Sequence, residues 1–291
     1  MKPYNSVRFC RAFKLFGYTV KWYSFLKMNS REEISVKKIL EVINAEKYYG
    51  NKANVTAALC GLSFSVEEGE FVGIMGASGS GKTTLLNCIS TIDKLSAGQV
   101  LIDEQDINEL KGKKLDEFRC SRLGFIFQDF NLLDTMTAEE NIALALSIKG
   151  VKTSEIEAKI KAIAEKLGIT EILKKFPSEM SGGQKQRVAA ARAVITDPSL
   201  VLADEPTGAL DSKASKALMD SLMELNKSLG STILMVTHDA FSASYAGRII
   251  FIKDGKIFTE IVRDEGEDRK DFFKRIVDVT TVLGGELDEL I

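Results

Sequence analysis

The sequence carries no strong excess of either charge. Its 39 Lys and Arg face 41 Asp and Glu, a formal net charge of −2. A nucleic-acid-binding domain is normally strongly basic, so this balance argues against that class of partner. Cysteine pairs are missing too. Cys10, Cys60, Cys88 and Cys120 stand far apart with no CxxC spacing, which reads as reduced thiols of a cytosolic chain rather than zinc ligands or a disulfide framework. No run of about eighteen apolar residues exists, so if the protein works at a membrane another chain must supply the span. Internal repeats and low-complexity tracts are absent, and histidine occurs once, at His238.

What is present supports a sizeable core. Hydrophobic residues make up 45% of 291 positions, enough for one large domain or two small ones. Residues 1–33 differ from the rest. Lys2, Arg8, Arg11, Lys14, Lys21, Lys27 and Arg31 are interleaved with Phe9, Phe13, Phe16, Trp22, Tyr23 and Phe25, and the first acid is Glu32. A basic, aromatic segment of this kind suits an anionic membrane surface or a permease. Two other readings stand beside it: an unstructured tail, and a true start at Met28.

From about Ile39 strands and helices alternate. "KILEVINAEKYYG", "LSFSVEEGEFVGIM", "QVLID" and "GFIFQ" read as strands. In "SEIEAKIKAIAEKLG", Ile156, Ile160, Ile163 and Leu167 share one helical face. "SLVLAD" and "STILMV" are apolar on both faces, which points to a parallel sheet covered on both sides. "RIIFIKDGKIFTEIV" reads as a hairpin turning at Asp254-Gly255. These readings give an α/β domain over 34–262, with a helical subdomain at about 129–185 and a helical tail over 263–291.

The stretch "GASGSGKTT", Gly76 to Thr84, lies between an apolar strand and a helix and matches GxxxxGK[ST]. Gly76, Ala77, Ser78, Gly79, Ser80, Gly81 and Thr84 provide a glycine-rich backbone whose N–H groups form an anion nest. Lys82 adds a point charge for the β and γ phosphates, and Thr83 a hydroxyl for Mg²⁺. "VLADEP" ends an apolar strand in two acids. Asp204 suits Mg²⁺ or its water at the sheet edge where ligands bind. Glu205, turned elsewhere, suits polarising the attacking water. His238, after "ILMVT", and Gln128, after "GFIF", reach the same edge, and Gln128 suits the metal or the water. A second glycine site, Ser181, Gly182, Gly183 and Gln184, opens another helix. It lacks a Lys-Thr pair, so it is either a phosphate cap for an ATP held elsewhere or an ordinary serine-capped helix.

Taken as an ordered set, "GASGSGKTT", "FIFQDFNLL", "SGGQKQR", "VLADEPTGALD" and "MVTHD" resemble the ATPase domain of ABC transporters. The resemblance implies an α/β P-loop NTPase with a RecA-like core, an antiparallel β subdomain and an α-helical signature subdomain. It implies ATP and Mg²⁺ as cofactors, and a head-to-tail dimer that sandwiches two ATPs. Ser181 and Gly183 would then face the partner's γ-phosphate, "GALD" ending at Asp211 would cross the interface, and Tyr49 (or Tyr48) would stack on adenine. Asp129 to Thr137 would meet the permease. "FIFQDFNLLDTMT" and "SYAGRIIFIKDGKI" are similar to the macrolide-export and lipoprotein-release subgroup. The tail "DRKDFFKRIVDVTTVLGG" resembles the bacitracin-resistance ATPases, whose permease is a separate chain that handles peptide antibiotics and often works with a sensor kinase. The implied place is the cytoplasmic face of the cell membrane. Cell-division members of the subgroup keep a rival in view, an ATPase for signalling or force transmission. A DNA-repair ATPase is disfavoured, because the interval from Gln128 to Ser181 is too short for a long coiled coil.

Overall fold

The computed structural model describes residues 37–51 and 54–284. Two parts of the sequence reading, the 1–33 extension and the end of the tail beyond Gly284, lie outside those residues.

Two sheets organise the described chain. The smaller is antiparallel, in the order β2-β1-β4-β5. Its strands are β1 (Lys38–Asn51), β2 (Asn54–Glu67), β4 (Ala97–Ile102) and β5 (Gln105–Asp106). The larger runs β10-β9-β3-β8-β7-β6. It comprises β3 (Phe71–Met75), β6 (Leu123–Ile126), β7 (Leu200–Asp204), β8 (Ile233–Val236), β9 (Arg248–Lys253) and β10 (Lys256–Val262). Within it β9, β3, β8, β7 and β6 are parallel, and β10 closes the edge as a hairpin through Asp254-Gly255.

Period-2 alternation decides what each face of the large sheet packs against. Leu200, Leu202, Leu234, Val236, Ile250 and Ile252 enter one core with α1 (Lys82–Ile89) and the small sheet. Val201, Ala203, Ile233, Met235, Ile249 and Phe251 enter a second core. That core includes α3 (Ala138–Ile148), α4 (Thr153–Leu167), α5 (Gly182–Val194) and α6 (Ser212–Leu229). Both faces are therefore dry, as runs such as "LVLA" require. The predicted stripe on α4 is in place: Ile160, Ile163 and Leu167 are buried, and Ile156 packs on them partly buried. In chain order α2 (Lys113–Arg122) precedes β6, burying Phe118 in the core of the small sheet, and a short α7 (Ala240–Ala243) follows β8. The C-terminal α8 (Arg269–Gly284) buries Phe272 and Ile276 in the helical-side core. No helix among the described residues is long and apolar enough to cross a membrane.

Parallel register fixes the catalytic edge. Ile74 pairs with Val236, and Val236 with Asp204. The chain therefore leaves β3 at Gly76, β7 at Glu205 and β8 at Thr237 within one residue of the same level, and His238 follows Thr237. One strand is shorter than its sequence suggests. β6 stops at Ile126, not at Gln128, because the Phe127 carbonyl accepts from the Gln186 side chain. The Phe127 ring meanwhile stacks on Phe125 with centroids 4.9 Å apart.

Candidate active site

The loop from Gly76 to Gly81 delivers α1 with its N-terminus open. Gly81 is the N-cap at φ 103°, and no side chain caps the helix. The left-handed φ favours glycine. A Cβ there would lie 2.4 Å from the Ala58 carbonyl oxygen. Lys82 folds back over the loop, its Nζ donating to the carbonyls of Gly76 at 2.8 Å and Ala77 at 2.9 Å. Burial lowers the Lys82 pKa, and the charges of Glu205 and Asp204 pull it back up.

Across the cleft, Glu205 emerges from β7 at φ 44°. Its carboxylate meets residue 238 twice: the His238 ring at Nδ1 is 2.9 Å away, and the His238 backbone N–H donates at 3.3 Å. The Glu205 side chain is 16% exposed and that of His238 70%, so one side of the imidazole stays open to a ligand. Asp204, like Glu205, is half-buried. Burial raises its pKa, Glu205 raises it further, and Lys82 opposes both. Its Oδ1 is buried without a partner. An orphaned carboxylate oxygen beside a cradle of backbone N–H groups is what a hard cation with phosphate ligands would satisfy.

The structure gathers most of the predicted residues into one cleft of 610 Å³. Gly76 to Gly79, Gly81 to Thr84, Glu205 and His238 line it. Ser80 and Asp204 sit beneath, with Ser80 Oγ also buried and unpartnered. An adjoining cavity takes in Gly208, Leu210 and Lys216 together with Glu205 and His238. Gln128 reaches its edge: its amide nitrogen would lie 3.1 Å from a Cβ built on Gly208. Tyr49 stands on the loop side of β1, its hydroxyl bonded to Asp93 at 2.7 Å and close to Thr84. Tyr48 points elsewhere and bonds Glu46. Ser181, Gly182, Gly183 and Gln184 line neither cavity. Ser181 and Gln184 close a capping box on α5. Asp211 caps α6 by accepting from the Ala214 N–H at 2.8 Å.

Residues 59–208 match the ABC transporter family. The chain belongs to that family. Its fold is the P-loop NTPase of the ABC ATPases, and its chemistry is ATP hydrolysis. It is 54% identical over 247 residues to the bacitracin export ATP-binding protein BceA of Halalkalibacterium halodurans, covering 85% of this chain and 97% of that one. It is 44% identical to the macrolide export ATP-binding/permease protein MacB of Mannheimia succiniciproducens, where the match covers 76% of this chain but 34% of MacB. The dimeric post-hydrolysis structure of the ATP-binding cassette MJ0796, bound to ADP and Pi, superposes with a TM-score of 0.71 at 38% identity, covering 78% of this chain and 99% of that one.

The ABC ATPase also shows residues that the motifs do not announce. Phe251, Thr280 and Leu283 line the cleft from β9 and α8. They are remote in sequence from every phosphate motif, and no local pattern distinguishes them from core. Lys47 and Asp93 bond each other at 2.6 Å, Asp93 accepting from the Tyr49 hydroxyl and Lys47 lying over the Tyr49 ring, and both were equally silent.

Proposed function

We propose that this ABC ATPase energises an exporter of peptide antibiotics whose permease is a separate membrane chain. The observation that supports the ATP chemistry is the Glu205–His238 pair facing Lys82 across one cleft. The observation that supports the export reading is likeness to BceA over nearly all of BceA's length, against a third of the fused ATPase-permease MacB.

The roles follow from position. The loop N–H groups and Lys82 bind the phosphates, and Lys82 offsets charge that builds on the transferred group. Thr83 and Asp204, with Gln128 at the edge, would hold Mg²⁺, which supplies Lewis-acid polarisation of the phosphates when bound. Glu205 accepts a proton from the attacking water, and residue 238 aims that carboxylate. Ser181 and Gly183 meet the ATP of a second copy, as expected of a capped helix end that its own cleft does not use. Tyr49 carries the adenine, and Asp129 to Thr137 meet the permease. The complex works at the cytoplasmic face of the cell membrane, where the permease can link it to a sensor kinase.

Glu205→Gln tests the site. Nucleotide affinity should persist, hydrolysis should fall by roughly 10²–10⁴ as for loss of a general base, and an ATP-bound dimer should accumulate in light scattering. A variant that remains monomeric with ATP would overturn the sandwich. Co-purification of a multi-span chain that confers tolerance to a peptide antibiotic tests the cargo.

A further inference from the structure

One buried side chain outside the ATP cleft joins three of its segments. Gln186 lies on α5, one turn beyond Gly183, and is fully buried. Its amide nitrogen donates to the Phe127 carbonyl at 3.0 Å and to the Pro206 carbonyl at 2.8 Å. Phe127 immediately precedes Gln128, and Pro206 immediately follows Glu205. Both partners are acceptors, so only the NH₂ end of the amide can face them, and the orientation is fixed by chemistry.

The arrangement is not the one that packing alone would choose. Gln186 Oε1 is buried without a partner, a penalty accepted in exchange for the two carbonyls that the NH₂ end satisfies. The small-residue face of α5, with Gly183, Ala190 and Ala193 buried around this position, has no other need for an amide. Glu205 meanwhile needs an anchor. Its φ of 44° is left-handed for a residue that is not glycine, and it precedes a proline, which restricts it further. Such a conformation persists only where the surroundings hold it: the Glu205 N–H donates to the Val236 carbonyl, its own carbonyl accepts from the Gly208 N–H, and the next carbonyl, that of Pro206, is the one Gln186 grips.

We infer that Gln186 is a positioning residue for ATP hydrolysis. It ties the Glu205 loop and the Gln128 loop to the helix that begins at Ser181, and so holds the Glu205 carboxylate on the water. The inference rests on the role given to Glu205 above. It also gives the two phosphate-facing ends of one chain a rigid link, from Glu205 at its own ATP to Ser181 at the partner's.

Gln186→Met keeps the volume and removes both donors, and Gln186→Leu serves as a second apolar variant. Turnover, KM, ATP affinity by titration and melting temperature are measured on each full-length protein. The expected result is a folded protein with ATP affinity and KM within about threefold of wild type, and kcat lower by tenfold or more. Turnover within twofold of wild type in a folded variant overturns the inference. So does a fall in kcat matched by falls in affinity and melting temperature, or failure of both variants to fold, since each marks a packing role. Glu205→Gln run alongside separates the two readings: if it hydrolyses normally, the role of Glu205 fails whatever Gln186 does.

Discussion

At the start of α1, Gly81 offers no side-chain cap, Lys82 turns back onto carbonyls of its own loop, and Asp204 and Ser80 leave buried oxygens without partners. At the start of α5, Ser181 and Gln184 close a capping box, Met180 is buried behind them, and Gly183 packs against Ala214 so closely that a Cβ would lie 2.8 Å from the alanine's. Both are glycine-led helix N-termini with the same dipole. The first is unfinished within its own chain, with two buried oxygens unmet. The second is complete as a piece of protein. A site whose polar groups are already met locally contributes to a ligand only through its exposed face, and so depends on what a second molecule brings to it.

The sharpest test of the unfinished site is His238. In the observed geometry the ring nitrogen nearest Glu205 carries the hydrogen, because a carboxylate can only accept. The far nitrogen of a neutral ring is then an acceptor, and it donates to a phosphate only when the ring is protonated or rotates. His238→Ala removes this contact but keeps the backbone N–H bond to Glu205. Hydrolysis should fall on the order of 10², with most ATP affinity retained, because alignment is lost rather than binding. Near-normal turnover in a folded, ATP-binding variant would remove the ring from the mechanism.

Ser181 tests the finished site, and two substitutions divide its structural role from its partner role. Asp caps a helix as well as Ser does, and its charge suits a helix N-terminus. Ser181→Asp should therefore keep the melting temperature. If Ser181 faces a partner's phosphate, the carboxylate repels it, and turnover should fall at least about tenfold with loss of the ATP-dependent dimer. Ser181→Ala should do the reverse in degree, losing about 1 kcal/mol of capping and retaining more turnover. Normal activity and dimerisation in Ser181→Asp would make this end a capped helix and nothing more.

The same contrast explains what could be read from the sequence. The meeting of Lys82, Glu205 and His238 in one cleft was legible because they follow the ends of strands, and strand ends are visible as the close of apolar runs. The two-sided sheet was legible from "LVLAD" and "ILMV" for the same reason. Gln186 was not, because a polar residue on a helix reads as surface until the neighbours on its face are known to be Gly183, Ala190 and Ala193. The end of β6 was missed because a side chain from α5, not a turn residue, takes the last carbonyl. Thr280 and Leu283 reach the cleft only through the packing of α8 by Phe272 and Ile276, a tertiary fact with no local signature.

The smallest effect belongs to Asp204, and its sign is opposite to that of an ordinary stabilising contact. Burial raises its folded pKa above the unfolded carboxylate value. The folded state therefore binds the proton more tightly, and stability falls as pH rises from the ordinary value through the raised one. Above the raised pKa the free protein carries that penalty. Asp204→Asn removes the charge at nearly constant volume and should raise the melting temperature without nucleotide by a few degrees, at about 2–4 °C per kcal/mol for a domain of this size. The gain should shrink to nothing in acid below the ordinary carboxylate pKa, where both states of the wild type are already protonated. Adding Mg²⁺ with ADP should reverse the ranking, because the ion satisfies Asp204 Oδ1 in the wild type and finds a weaker ligand in the amide. Melting curves at neutral and acid pH, with and without Mg²⁺-ADP, supply all four comparisons. A variant less stable than wild type at neutral pH without ligand would show that the orphaned oxygen has a protein partner. The unfinished character of the first site would then extend no further than its open helix.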